Sequence, residues 1–253
     1  MNQITSDFKP TVSIITIVYN GVAFIEDTIK SVLNQTYGNI EYLLIDGGST
    51  DGTLDIIKSY ESKGIKWISE KDKGISDAFN KGIKLATGDI IGIINADDWY
   101  ENDAVEKIVK LYVDNNTILC GSVRLYNSNT KFNIKKSSLS GVQSKMGIWH
   151  PGMFVPAEVY KKAGLYDINY KVLMDYDFVV RCYKLNVQFK IVDDIIANMR
   201  YGGVSNKLIS KSMKEALTIK NKYFGKSVKN ALEYVYYNLY YQAIIFIKGI
   251  IYK

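Results

Sequence analysis

An α/β architecture, with a mostly parallel central sheet flanked by helices and a helical C-terminal extension, is the expectation for this 253-residue chain. Three observations carry it. Up to about residue 113, short β-branched runs alternate with amphipathic stretches, which is the pattern of βαβ units. The first run, residues 12–18, is apolar almost throughout, as a strand buried on both faces must be. Residues 200–253 read as helix, in two pieces broken near Gly225. Neither an internal repeat nor a Pro/Gly linker interrupts the chain, so it divides into a catalytic-type domain over 1–209 and an extension over 210–253.

Each element has its own signal. After the strand Val12 to Val18, the stripe Phe24, Ile25, Ile29, Val32 and Leu33 has helical spacing. A second strand runs from Ile40 to Ile45, and Asp51 is placed to N-cap a helix that buries Leu54, Ile56 and Ile57. Ile65 to Ile68 gives a short strand. Residues 74–86 give a helix with Phe79, Ile83 and Leu85 on its apolar side, ended by Thr87-Gly88 as a left-handed C-cap. Ile90 to Ile94 is the next strand. Beyond residue 115 the periodicity weakens: strands are expected at 118–123 and 187–192, short helices at 156–163 and 175–185, and an irregular polar stretch at 126–147.

Composition excludes several classes. Apolar residues make up 47% and charged residues 23%, so the chain is neither disordered nor low-complexity. Two cysteines, Cys120 and Cys182, lie in apolar stretches without metal-ligand spacing, and are expected as buried free thiols in a reducing compartment. The start of the chain lacks the pattern of a secretory signal, and no apolar run is long enough to span a bilayer. The net charge of +6 is unevenly spread. Residues 200–253 hold 10 of the 32 Lys/Arg but only Glu215 and Glu233 of the 26 acids, leaving +8 there and −2 in the rest.

In an open parallel sheet, ligands bind beyond the carboxyl ends of the strands. Those ends carry Tyr19 and Asn20, then Asp46 before Gly47-Gly48, then Asn95, Ala96, Asp97 and Asp98. Carboxylates gathered at one sheet edge repel unless a cation or donor groups neutralise them. Asp97 is the natural ligand for Mg²⁺ or Mn²⁺, which proteins hold with one or two carboxylates completed by phosphate oxygens and water. For Asp46, turn capping and ligand binding are both open readings.

The segments SIITIVYNG, LLIDGGSTDGT, EKDKGISDAFNKGIKLATGDIIGIINADDWY and MDYDFVVRCY stand in the order and spacing of glycosyltransferase family 2, which this sequence resembles over residues 11–205. The resemblance implies a GT-A fold and inverting transfer from a nucleoside-diphosphate sugar, expected to be a UDP-sugar. It implies that Asp46 reads the nucleobase, that Asp97 is the metal-binding Asp of the DxD motif, and that Asp175 is the general base. KGISDAFNKGI is similar to a bacterial subgroup of surface-polysaccharide assembly, which would bring Lys73, Gly74, Asp77 and Asn80 near the donor. Two positions depart from the pattern. Asn95 replaces the first Asp of DxD, removing a charge, and Met174 stands before Asp175 where many relatives have an acid.

The implied chemistry follows from charge. A divalent cation stabilises the diphosphate leaving group, while a carboxylate takes the acceptor hydroxyl proton as it attacks in line. An Asp of ordinary pKa is already ionised at neutral pH. Asp177, two residues on, is expected to cap or to pair with Arg181. His150, the single histidine, stands with Trp149 in WHPG and is expected to shape the acceptor side together with Asp98 and Arg200; a packed histidine is the plainer alternative. Gly202 to Ser205 forms either a lid over the diphosphate or an ordinary turn.

The basic extension combines Met213, Leu217 and Phe224 with Lys211, Lys214, Lys220 and Lys222, then a Tyr-rich helix leading into AIIFIKGIIYK. Aromatic residues with lysines suit a helix lying on a membrane surface, although a helix packed on the domain has a similar pattern. The expected enzyme works at the cytoplasmic face of the cell membrane, on a polyprenyl-diphosphate-linked saccharide of O-antigen, capsule or exopolysaccharide synthesis. A nicotinamide-binding Rossmann enzyme is disfavoured because YNGVAFIEDTI replaces GxGxxG. No nucleic-acid module accompanies the basic residues. A sugar nucleotidyltransferase would need an early Gly-rich basic loop, and an inactive sugar-nucleotide binder would not need both Asp97 and Asp175.

Overall fold

The computed structural model describes residues 9–128, 130–202, 208–228, 230–236 and 239–240. Its sheet opens with β1 (Val12–Val18), β2 (Ile40–Asp46), β3 (Lys66–Ser69) and β4 (Ile90–Asn95), all parallel, in the spatial order β3-β2-β1-β4. Helices α1 (Ile25–Leu33), α2 (Thr53–Ser59) and α3 (Ile75–Leu85) make the crossovers. Beyond β4 the sheet becomes mixed. It continues through β8 (Met153–Pro156), β6 (Thr117–Tyr126), β9 (Gln188–Arg200) and the two-residue β5 (Trp99–Tyr100), with β7 (Phe132–Lys135) paired to β6. The remaining helices are α4 (Ala104–Leu111), α5 (Ala157–Ala163), α6 (Met174–Lys184) and α7 (Ile209–Phe224).

Strand alternation builds one core on each face of the sheet. Ile15 and Ile17 of β1 point with Leu43, Ile45, Ile91 and Ile93 toward α3, α5 and α6, packing on Phe79, Ile83, Val159 and Phe178. Val12, Ile14 and Val18 face the other way, with Leu44, Ile90 and Ile94, onto Ile25, Ile29 and Ile57. Each buried Ile or Leu contributes roughly 1.5–3 kcal/mol. Two glycines allow close approaches that this packing needs. A Cβ on Gly82 of α3 would stand 2.4 Å from Ile15 Cγ2, and one on Gly88 would stand 2.7 Å from the Thr11 carbonyl oxygen.

Several expectations need correction. Gly88 does not cap α3 in the left-handed region; Ala86 ends the helix with extended backbone (φ −65°, ψ 133°), and Gly88 is small because β1 passes beside it. The N-cap of α2 is Gly52, at φ 97°. Asp51 still serves that turn from one residue earlier, accepting Thr53 N–H at 3.0 Å and Val22 N–H at 3.1 Å. The last strand runs to Arg200 rather than stopping at Val192, because parallel pairing with β6 continues past an irregularity at Cys120 to Val123. The polar stretch after residue 126 contains β7, whose exposed Phe132 packs at a tilt against Tyr126 with ring centroids 5.2 Å apart. Both cysteines are buried free thiols, as expected.

The first helix of the extension packs on the domain. Ile219 of α7 is fully buried in the core shared with α5 and α6. Glu215 and Lys220 are also buried, the latter bonded to Glu233 at 3.0 Å. Residues 230–236 are helical. The segment AIIFIKGIIYK lies outside the described residues.

Candidate active site

Register places the chemistry. Val18 pairs with Asp46, Ile17 with Asn95, and Asp46 with Ser69, so the carboxyl ends of the four parallel strands finish level at one edge. The loops that follow are laced together. Asn20, held at φ 51°, donates its N–H to Ser49 Oγ at 2.8 Å and accepts from Thr50 N–H at 2.9 Å through Oδ1. Tyr19 projects outward with 68% of its surface exposed, an open ring at the mouth of the edge.

Asp46 is fully buried. Its carboxylate accepts Gly48 N–H at 3.2 Å, Ser49 N–H at 3.1 Å, Ser49 Oγ–H, and Ser69 Oγ–H at 2.6 Å. Internal donors therefore satisfy it, and its visible work is to hold the turn after β2. Beside that turn lies a carboxylate that sequence reasoning did not single out. Asp72 Oδ2 stands 2.7 Å from where a Cβ on Gly47 would be, and Lys81 donates to Asp72 at 2.6 Å. Burial pushes the Asp72 carboxyl up. Its position in EKDKG, directly before the expected donor residues, is the signal that could have found it.

The other residues expected near the donor divide. Asp77 Oδ2 accepts Lys73 N–H at 3.0 Å, closing the first turn of α3 behind Gly74 at φ 122°. Asn80 is buried, with both ends of its amide used on one residue: it donates to the Tyr166 carbonyl at 2.8 Å and accepts Tyr166 N–H at 2.9 Å. Ser76 donates to the Tyr170 carbonyl at 2.8 Å. The inner face of α3 thus clamps the 166–170 loop.

The turn after β4 is tight. Ala96 N–H reaches the Ile17 carbonyl at 3.2 Å, Asp98 N–H reaches the Asn95 carbonyl at 3.1 Å, and Thr28 Oγ donates to both Ala96 and Asp98 carbonyls. Asp98 is buried, and burial, reinforced by neighbouring Asp97, raises its carboxyl well above the usual range. It accepts Arg200 N–H at 3.2 Å. Asp97 differs from the other acids here. It is half-buried, and among the described residues no hydrogen bond or ion pair engages its carboxylate. No cluster of three or more His, Cys, Asp or Glu residues accompanies it among the described residues, so a cation there would draw its remaining ligands from phosphate and water.

Arg200 is anchored. Its guanidinium lies between the rings of Phe24 and Trp99, 4.5 and 4.6 Å from their centroids, donates to the Asp97 carbonyl and pairs with Asp27 at 2.8 Å. The lid expectation concerns Gly202 to Ser205, of which 203–205 lie outside the described residues. His150 shares a 3.1 Å hydrogen bond with Asn95 through Nε2; with the amide donating, Nε2 is the unprotonated nitrogen. Its ring lies 5.8 Å from Phe79, and burial lowers its pKa to about 4, so it is neutral at physiological pH. Trp149, just before it, packs partly buried against the core.

Asp175 sits in the first turn of α6, its Oδ1 accepting Tyr176 N–H at 2.8 Å. Burial pushes its carboxyl up to about 6 against the bonds that favour the charged form, and the charge of Glu215 adds to the rise. The expected ordinary pKa is therefore corrected: burial holds this carboxyl above the usual Asp range. Asp177 is fully buried and bonded to Arg181 at 3.2 Å, as its spacing predicted, and also to Lys222 at 3.2 Å and Tyr223 at 3.0 Å.

A level sheet edge with an open carboxylate, and a second carboxylate at a helix start, can be set against known proteins. The model of glycosyl transferase family 2 matches residues 13–182. The chain belongs to this family. It is 31% identical over 218 residues to a PGL/p-HBAD biosynthesis glycosyltransferase of Mycobacterium bovis, covering 82% of this chain and 84% of that one. It is 29% identical over 254 residues to an uncharacterized glycosyltransferase of Haemophilus influenzae, covering 94% and 98%. Among solved structures it resembles the mannosyltransferase PcManGT from Pyrobaculum calidifontis in complex with GDP-Man and Mn2+ (TM-score 0.67, 18% identity, 87% of this chain and 66% of that one). It also resembles S. aureus TarS 1-349 in complex with UDP-GlcNAc (TM-score 0.63, 17% identity, 83% and 66%). These structural likenesses establish the GT-A fold, and the chain is a glycosyltransferase.

Proposed function

We propose that this glycosyltransferase moves a sugar, with inversion, from a nucleoside-diphosphate sugar to a lipid-linked saccharide of bacterial surface-polysaccharide synthesis. The observation that carries the reading is the pair of contrasting carboxylates. Asp97 is half-buried without a hydrogen-bond or ion-pair partner for its carboxylate among the described residues, and Asp175 is pushed up to about 6. The solved neighbours bound to UDP-GlcNAc and GDP-Man support the donor class.

Asp97 fits a hard divalent cation, Mn²⁺ or Mg²⁺, because its carboxylate is the one at the β4 edge that no donor among the described residues uses. Such a cation, when bound, stabilises negative charge on a diphosphate leaving group. The chain's own residues do the rest. Tyr19 offers its exposed ring to the nucleobase at the mouth of the edge, and Asn20, Lys73, Gly74 and Asp77 are assigned to the rest of the donor. Asp46 supports that mouth by holding the turn after β2. Asn95 and neutral His150 hold one another, with Trp149, Asp98 and Arg200 fixing the loops beside them. Asp175, ionised above about pH 6, accepts the proton of the attacking hydroxyl. In-line attack converts an α-linked donor into a β-linked product.

The described part of the extension supports work at a membrane surface. Val228, Leu232, Val235 and Leu239, spaced as one helical stripe, are all exposed, as are Tyr236 and Tyr240. No helix among the described residues is long and apolar enough to cross a membrane. We therefore place the enzyme peripherally on the cytoplasmic face, bound through residues after Gly225. The donor is tested by thermal stabilisation with UDP-glucose, UDP-galactose, UDP-GlcNAc and GDP-mannose, each with and without Mn²⁺. Metal-dependent stabilisation by one of them is expected, and stabilisation by none would remove the reading. Liposome flotation of the full chain against a chain ending at Gly225 tests the membrane site, and equal behaviour of both would sink it.

A further inference from the structure

Helix α7 does more than cover the core, because one face of it grips the start of α6 at two points. Glu215 is buried, yet no lysine or arginine among the described residues pairs with it. Its carboxylate instead accepts three consecutive backbone N–H groups, from Lys171 at 2.9 Å, Val172 at 3.0 Å and Leu173 at 2.9 Å. Those residues immediately precede α6, which has no side-chain cap of its own at Leu173. A buried carboxylate is tolerated only with such donors, and three N–H groups converging on one anion form a rigid nest. Two turns further along the same face, Lys222 and Tyr223 hold Asp177. The grips fall on either side of Asp175. Lys171 extends the first of them to the donor side, its Nζ donating to the Lys73 carbonyl at 3.0 Å.

We propose that Glu215 is a positioning residue for glycosyl transfer: from the extension, its carboxylate fixes the 171–173 turn, which aims Asp175 and ties it through Lys171 to the donor loop at Lys73. The inference rests on Asp175 being the base. It makes α7 part of the reaction's scaffold.

The test is Glu215→Gln in the full chain, assayed by Mn²⁺-dependent hydrolysis across the same four nucleotide sugars. Gln keeps the shape but sets an amide N–H₂ against the nest. A misplaced base costs up to roughly 100-fold, so kcat should fall about 10- to 100-fold while the donor KM stays within about threefold. The groups that face Asp175 are Glu215, the Tyr166 hydroxyl and the Tyr176 N–H. Removing the Glu215 charge should move the acidic limb of the kcat/KM profile below pH 6, a shift that Ile219→Ala, which only loosens the core, should not produce. Glu215→Asp keeps the charge with a shorter reach, so its kcat should fall without moving the limb; it carries the kcat test if the Gln variant does not fold. An unchanged kcat and limb in the folded Gln variant, or an unchanged kcat in the Asp variant, would overturn the proposal. Asp175→Asn separates the two readings: if it is inactive while Glu215→Gln behaves as wild type, only the positioning role fails, and if it is active the base assignment fails with it.

Discussion

Replacing Asp175 by Asn should remove transfer and, unusually for an active-site change, stabilise the fold. Burial raises the carboxyl from its ordinary 3.8 to about 6, and each unit is worth about 1.36 kcal/mol. Keeping Asp175 ionised in the folded chain therefore costs up to about 3 kcal/mol at neutral pH. The sign follows from proton binding. Between pH 3.8 and about 6 the folded chain holds more protons than the unfolded one, so the wild type loses stability as pH rises through that window. Asn has no charge to bury, and its Oδ1 can still accept Tyr176 N–H. The variant should gain little near pH 4 and most above pH 7. For a chain of this size about 2–4 °C accompanies each kcal/mol, so a gain of up to roughly 6–12 °C at pH 8 is expected. Thermal unfolding from pH 4.5 to 8, alongside donor hydrolysis, checks both halves. A lower midpoint at pH 8, or near-normal turnover, would refute the reasoning.

Other expectations come from the same geometry. Asp97→Ala should leave the unfolding midpoint within about 2 °C, since no hydrogen bond or ion pair among the described residues is lost with that carboxylate and changes away from such features stay within about 0.5 kcal/mol; calorimetric titration of UDP should lose its Mn²⁺ dependence. Gly82→Ala gains about 1 kcal/mol of helix propensity but drives a Cβ to 2.4 Å from Ile15, so denaturant unfolding should show a net loss of about 1–2 kcal/mol from overpacking. Wild-type kcat/KM should fall toward tenfold per pH unit below about 6, with no inflection from His150 above about pH 5, because its pKa lies at about 4. Truncation after Gly225 should spare the fold, whereas truncation before Ile209 should lose cooperative unfolding because buried Ile219 goes with it.

The parallel half of the sheet was legible because its signals are local. Apolar runs of strand length, a carboxylate or amide at each strand end and a helix between them leave few topologies open. Tertiary contacts decided what local pattern could not. Gly88 reads as a C-cap, but its size answers to Thr11 and Ser13, 75 or more positions away. The mixed half of the sheet depends on pairings such as β6 with β9, which join distant residues and leave no periodic mark. At the site, Asp97 was marked out by its place at a strand end, and Asp175 only by the resemblance of MDYDFVVRCY to the family. Asn80 read as a donor-side residue because its amide lies in KGISDAFNKGI; that its partner would be the Tyr166 backbone needed the fold. The lysine-rich pattern of α7 suggested an outward face, yet Lys220 is buried and Lys222 pairs with Asp177, beside the inward-facing Glu215 and Ile219.

Inverting transfer through Asp97 and Asp175 is tested most directly by proton NMR of the sugar first released when an α-linked nucleotide sugar is hydrolysed with Mn²⁺. Water then takes the acceptor's place, and attack opposite the diphosphate fixes the configuration before the sugar mutarotates. The β-anomer should appear first with the wild type and no release should be seen with Asp175→Asn. Initial release of the α-anomer, or unchanged release by the Asn variant, would contradict the account.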